Sequence, residues 1–222
     1  MADRSVGQRS RMPDAALHSG LPALERILGA AERLFAERGY DSVSISDVAR
    51  EAGVCKANVF HHFAGKQALY ETVLTESCAR LGDEMQRMLA ADADPADQIP
   101  HFLHRYRRYL REHPATARLL LRELTGNPDL AETGPVFPVL TRLLDNLVAH
   151  LGAGRDAGVF RASVNPTIVA SLLLGVTLFN SQTEHLRLHM RAWKDVGDDA
   201  YVDLLTDVLL RGVMSSHATQ TA

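Results

Sequence analysis

Ser44-Ile45-Ser46-Asp47-Val48-Ala49-Arg50-Glu51-Ala52-Gly53-Val54-Cys55-Lys56-Ala57-Asn58-Val59-Phe60-His61-His62-Phe63 is the stretch whose reading decides the fold. Ser44 with an acid three residues on, Asp47, is a capping-box variant that opens a helix. Ile45, Val48 and Ala49 would face the core. Gly53 supplies the positive φ that a sharp turn needs. A short helix then runs from about Lys56 to His62. Val59 and Phe63, four apart, give it one apolar face, with Phe60 partly helping. Lys56, Asn58, His61 and His62 remain on the other face as donors and acceptors. Two short helices joined by a glycine turn fit a helix-turn-helix, here about residues 43–62. Seven residues at ~1.5 Å rise span ~10 Å, and the ~12 Å major groove of DNA admits one such helix.

Outward from this stretch the periodicity stays helical. Leu24, Ile27, Leu28, Ala31, Leu34 and Phe35 make one stripe over residues 23–38, stopped by Gly39. Downstream, Gly65-Lys66 opens a helix through Leu69, Tyr70, Val73 and Leu74 toward Leu89, and residues 91–95 break it. Further helices are expected over about 96–112, 115–125, 135 to 152 or a little beyond, 166–190 and 199–213. Pro114 bounds the first of these, because a residue before proline avoids the α region, and Gly126-Asn127-Pro128 ends the second. There is no strand signal. The fold class is all-α: an N-terminal three-helix helix-turn-helix domain at residues 21–80 and a larger helical domain at 81–215. Residues 1–20 read as a disordered arm and 216–222 as a disordered tail.

Composition bounds the function. Of 222 residues, 46% are hydrophobic and 23% charged, the balance of a globular protein. No apolar run reaches the ~18 residues of a membrane span, and no apolar stretch follows the N-terminal arginines as a signal peptide requires. The expected location is cytoplasmic, with no membrane partner. A net charge of -3 excludes a generally basic nucleic-acid coat protein. The lysines are only Lys56, Lys66 and Lys194, so two of the three flank the short helix; from Arg80 onward acids outnumber bases. A glycine-rich phosphate loop, a nucleophile elbow and paired acids are missing, so no enzyme and no cofactor is expected. His101 with His104, and His185 with His189, share helix faces but lack companion ligands, which makes a solvated or structural role the better reading and a metal site unexpected. Cys55, at a helix N-terminus beside Lys56, leaves a redox-sensing alternative open.

Residues 27–74 resemble the DNA-binding domain of the TetR/AcrR family of bacterial regulators. The resemblance rests on Ile27-Leu28-Gly29-Ala30-Ala31, on Leu34-Phe35-Ala36-Glu37-Arg38-Gly39-Tyr40, and on Ser44-Ile45-Ser46-Asp47-Val48-Ala49. It continues in Ala52-Gly53-Val54 and in Phe60-His61-His62-Phe63-Ala64-Gly65-Lys66. It implies that Lys56, Ala57 and Asn58 face bases, that His61 touches base or phosphate, and that Lys66 binds phosphate. Ser44 and Ser46 would lie beside the DNA backbone. Three positions depart from the family pattern. Cys55 stands where serine is usual, a weaker cap. Phe60 and His62 stand where tyrosine is usual; Phe60 cannot donate to phosphate, and His62 can replace that contact. Tyr40 is expected to pack against the second helix.

For the remaining two thirds the resemblance implies an effector cavity and a dimer face. Candidate lining residues are Phe102, Tyr106, Leu119, Arg122, Phe137, Thr177, Asn180 and Gln182; Arg118 and Glu123 share a helix with two of them. Two apolar strips suit a four-helix dimer bundle: Val169, Leu172, Leu173 and Val176, and Tyr201, Leu204, Leu205, Val208 and Leu209. The expected protein is a homodimeric repressor, released from palindromic operator DNA by a hydrophobic or amphipathic small molecule.

Overall fold

The computed structural model describes residues 21–89, 95–126, 134, 136–187, 189–191, 200, 203–204, 207–208 and 212. Both the expected arm and the expected tail lie outside them. The helices are α1 (Ala23–Arg38), α2 (Ile45–Glu51), α3 (Lys56–His62), α4 (Lys66–Leu89), α5 (Pro95–Glu112), α6 (Pro114–Gly126), α7 (Val136–Asp156) and α8 (Pro166–Arg187). Residues 203–204 and 207–208 are also helical. The chain is all-α, with a helix-turn-helix near its N-terminus and a helical C-terminal part.

Each boundary has a local cause. Ser44 caps α2 as a full capping box: its side chain accepts from the Asp47 N–H, and the Asp47 carboxylate accepts from the Ser44 N–H. Cys55 sits at the N-cap of α3 and makes no side-chain cap hydrogen bond. Gly53 has φ 63° and Gly39 φ 81°. At Gly39 the positive φ is what calls for glycine; a β-carbon would also meet the tip of the Arg122 side chain at 2.9 Å, which that flexible side chain can relieve.

α7 continues through Gly152 to Asp156, a little beyond that glycine as expected. A glycine inside a helix costs only about 1 kcal/mol, and the buried stripe of Leu143, Leu147, Leu151 and Gly154 carries the helix through it. The real stop comes at Gly158, φ 77°, where the N–H groups of Val159 and Phe160 both donate to the Gly154 carbonyl at 2.9 and 3.2 Å. Phe160, 1% exposed, then packs back into the core. At the other end of the chain α8 stops at Arg187, short of the expected Met190.

α4 is the central strut. Its N-terminal half packs on α1, and its remainder on α5 and α7; α7 packs on α8, and α8 on α5 and α6. Leu81, Met85, Phe102, Leu147 and Leu151 are essentially inaccessible. Burying one such side chain is worth about 1.5–3 kcal/mol.

Polar contacts tie α1 to the C-terminal helices. Glu32 Oε1 accepts from Ser77 of α4 and Thr116 of α6, each at 2.9 Å, and from Arg80 at 3.0 Å. Arg122 of α6 donates to the carbonyls of Ala36 and Glu37 at 3.4 Å. These contacts meet the free carbonyl end of α1 with a positive charge, which the helix dipole favours.

Candidate nucleic-acid interface

α3 is anchored on one side and bare on the other. Val59 is 0% exposed and Phe63 8%, both within the core built from α1, α2 and α4. Lys56, Ala57, Phe60, His61 and His62 are exposed, and Asn58 is half-buried. Phe60 does not join the seating face: it is 49% exposed, with the Lys56 ammonium 5.8 Å from its ring centre. The His61 and His62 rings meet edge-on at 5.1 Å, so both imidazoles stand together at the C-terminal end of the helix.

The turn before α3 is pinned from α1. Arg26 donates to the Gly53 carbonyl at 3.4 Å, and Arg33 pairs with Glu51 at 3.4 Å. The first-helix stripe gave no signal for either arginine, because each acts through the hydrophilic side of the helix.

Ser44 and Ser46 are exposed at the start of α2. The Ser44 hydroxyl also donates to Asp47 at 2.5 Å, and Arg50 pairs with the same carboxylate. Hydrogen bonds from the Ser44 hydroxyl, the Ser44 N–H and Arg50, in that order, hold the Asp47 carboxyl down to about 2.

Lys66, at the first turn of α4, lies 4.2 Å over the Tyr40 ring and donates to the Asp41 carbonyl at 3.3 Å. Tyr40 stacks 6.1 Å from Phe35 and lies 5.0 Å from Tyr70, so its aromatic neighbours are on α1 and α4. The lysine is therefore held at a fixed place beside the end of α3. Burial, then the Glu123 carboxylate, push the Tyr70 phenol above its ordinary range, so it acts as a donor.

The remaining candidates fall into separate groups. Phe102, Tyr106, Leu119, Thr177 and Asn180 are buried, and Gln182 is half-buried. Arg122 turns toward α1, and Phe137 is 46% exposed. Arg118 is exposed, and Glu123 accepts from Tyr70. On α8, Leu172 is 47% exposed and Val169 and Val176 are half-buried, while Leu173, 1% exposed, faces the chain's own core. Ile168 at 59% and Phe179 at 62% extend the exposed strip instead, and Leu204 and Val208 stand out at 63% and 59%. Tyr201, Leu205 and Leu209 lie outside the described residues. Cys55 is exposed; Cys78 is buried, which pushes its thiol up to about 12. Among the described residues no group of three or more His, Cys, Asp or Glu is placed to hold a metal ion, and no helix is long and apolar enough to cross a membrane.

A seated third helix with a bare polar face, on an all-helical body, defines a helix-turn-helix DNA-binding regulator. Residues 27–73 match the family model for bacterial regulatory proteins of the tetR family. The chain is 33% identical over 145 residues to the HTH-type transcriptional repressor Rv3405c of Mycobacterium tuberculosis, covering 65% of this chain and 67% of that protein. It spans about half the length of other curated relatives that it matches over 95 residues. Among solved structures, the ketosteroid transcriptional regulator KstR2 of Mycobacterium tuberculosis matches with a TM-score of 0.70 at 19% identity, over 90% of this chain and 100% of that one. The regulator FadR of Bacillus subtilis, in complex with stearoyl-CoA, matches with a TM-score of 0.65 at 17% identity, over 85% and 96%. The chain belongs to the TetR family of bacterial transcriptional regulators.

Proposed function

We infer that this chain is a cytoplasmic repressor that grips a palindromic operator as a homodimer and lets go when a small amphipathic molecule occupies its C-terminal helices. Residues 21–80 form the DNA-binding unit in this reading, and 81–215 the effector and dimer unit. The observation that carries it is the two-sidedness of α3: Val59 is wholly buried while Lys56, Ala57 and His61 are exposed. Lys56, Ala57 and Asn58 read base edges, His61 and His62 reach base or phosphate, and Ser44, Ser46 and Lys66 fix the register on the backbone. Phe60 borders this surface and packs on sugar or base rather than donating to phosphate.

Dimerisation rests on the exposed apolar strip of Ile168, Leu172 and Phe179 with Leu204 and Val208. Two copies of α3 about 34 Å apart would read two half-sites. The effector is read as amphipathic because the buried set combines Phe102, Tyr106 and Leu119 with the polar Thr177 and Asn180. Stearoyl-CoA, with which the fold neighbour from Bacillus subtilis is in complex, is a ligand of that class.

The test is selection of genomic fragments by the purified chain, followed by footprinting. A protected palindrome with two half-sites one helical turn apart is the expected result. Retention of no fragment above a random-sequence control in dilute buffer would remove the reading.

A further inference from the structure

Phe60 stands 49% exposed on α3, although Val59 and Phe63 already seat that helix on the core. Among the described residues between Glu25 and Glu123 it is the only large apolar side chain left exposed. Its ring faces the Lys56 ammonium, 5.8 Å from the centroid. Lys56 precedes it by four positions and the exposed Ala57 by three, while His61 follows Ala57 by four. Residues at these steps are neighbours on a helix surface. Ala57 and Phe60 thus form a small apolar patch on the outward face of α3, bordered by Lys56 and His61.

A lone exposed apolar side chain is ordinary on a protein surface. The position of this one gives it a partner. A phenyl ring has no donor for phosphate oxygens. In the major groove the base edges present donors and acceptors with a single apolar exception, the C5-methyl group of thymine. An apolar patch between two groups that suit phosphate, on the helix that would enter that groove, matches that methyl group and nothing else there. Cytosine at the same place would lack the methyl and turn its N4 amino group toward the ring, a donor left without an acceptor. We propose that Phe60, with Ala57 beside it, reads the C5-methyl group of one thymine in each operator half-site. This rests on the operator-binding reading and adds a base preference to it.

The experiment uses the full chain and the operator duplex recovered by fragment selection and footprinting. Each thymine of the half-site is replaced in turn by uracil, in both half-sites at once. Uracil removes the methyl group and keeps the hydrogen-bonding edge. At one position the wild type loses affinity about tenfold, the size expected for two methyl groups no longer buried. Phe60→Ala binds the thymine operator about tenfold more weakly and binds the thymine and uracil duplexes alike at that position. Phe60→Leu, which keeps an apolar side chain, retains part of the preference for thymine. Thermal unfolding of each variant checks its fold, and the uracil series on the wild type needs no variant. The proposal is overturned if the wild type binds every uracil duplex as tightly as the thymine operator. It is also overturned if Phe60→Ala keeps the full preference for thymine, the result for a ring that packs only on sugar or backbone. A wild type that retains no operator removes the operator-binding reading and the methyl contact together. Intact operator binding that ignores every uracil replacement removes the methyl contact alone.

Discussion

The Tyr70 hydroxyl of α4 donates a 2.5 Å hydrogen bond to Oε1 of Glu123 on α6, fifty-three positions along the chain. The same Tyr70 ring packs edge-on against Phe35 of α1 at 4.9 Å and tilts against Tyr40 at 5.0 Å. Tyr40 in turn carries the Lys66 ammonium over its face. A displacement of α6 therefore reaches Lys66, the lysine proposed to grip phosphate, through three contacts. Tyr70→Phe keeps the ring packing and removes one hydrogen bond to a charged acceptor, a loss of about 1.5–3 kcal/mol. For a chain of this size that lowers Tm by about 3–12 °C. Glu123→Gln, which keeps an acceptor oxygen, should lower it less. Thermal unfolding of both variants checks the order; equal or reversed effects would remove the bond from the account.

Asp47 gives a pH dependence with a definite sign. Its carboxyl is depressed in the folded chain to about 2 from 3.8, chiefly by the Ser44 hydroxyl and N–H and then by Arg50. A depressed acid contributes stability that is present above its unfolded value and is lost as pH falls through its folded value. The capping box of α2 should therefore weaken between about pH 4 and pH 2, and not at higher pH. Side-chain carboxyl chemical shifts, followed by NMR, should titrate near the folded value in the wild type. In Ser44→Ala the midpoint should move up toward the unfolded value. A midpoint near 4 in the wild type would show that the box does not hold in solution.

The helices that position the interface were legible because their signals are local. The Ser44-to-Asp47 pair, the Gly53 turn and the Val59–Phe63 step each lie within a few residues. What the sequence does not carry is the partner across the fold. Glu32 has no neighbour in the sequence that announces Ser77 and Thr116, and Arg122 looks like a pocket residue until α6 is seen against the end of α1. Periodicity also blurs by one residue on a helix that is apolar all round. α8 is such a helix, so Leu173 was grouped with Leu172 although one faces the core and the other solvent. The end of α7 is legible only loosely for a related reason: Gly152 looks like a stop locally, and the buried stripe beyond it shows how far the helix runs on.

Asn58 and Lys66 should separate base reading from backbone gripping. Asn58 can pair with adenine through two hydrogen bonds, a discrimination worth about 1–3 kcal/mol at one base pair. Asn58→Ala should therefore lose affinity for the operator while its affinity for random duplex stays the same. Lys66, held by the Tyr40 ring and the Asp41 carbonyl, would offer one charge to phosphate in the proposed complex. Lys66→Ala should weaken every duplex alike and reduce the slope of log affinity against log salt by about one. Binding isotherms at three salt concentrations on operator and random DNA check both. Parallel losses for the two variants on both duplexes would leave no distinct base-reading role for Asn58.

Phe179 is 62% exposed and Leu172 47%, seven positions apart on one face of α8, with Ile168 a turn before and Leu186 seven after. A monomer gains nothing from that strip, and contiguous exposed apolar side chains mark an interaction surface. In the proposed dimer a second copy of α8 would cover it by symmetry, since the same patch would serve both partners. Within one subunit these side chains touch little, so Phe179→Asp should cost the isolated fold no more than about 0.5 kcal/mol. At the interface it would place two carboxylates against an apolar face across the dyad. Sedimentation should show a dimer for the wild type and a monomer for Phe179→Asp at micromolar concentration. Operator affinity should fall at least a hundredfold, since each half-site would then be bound alone. Leu173→Ala makes the contrast: at 1% exposure it leaves a core cavity, costs about 2–5 kcal/mol in unfolding, and leaves the dimer in place. If Phe179→Asp stays dimeric while remaining folded, the strip on α8 is not the interface, and the pairing of the two recognition helices must come from another face.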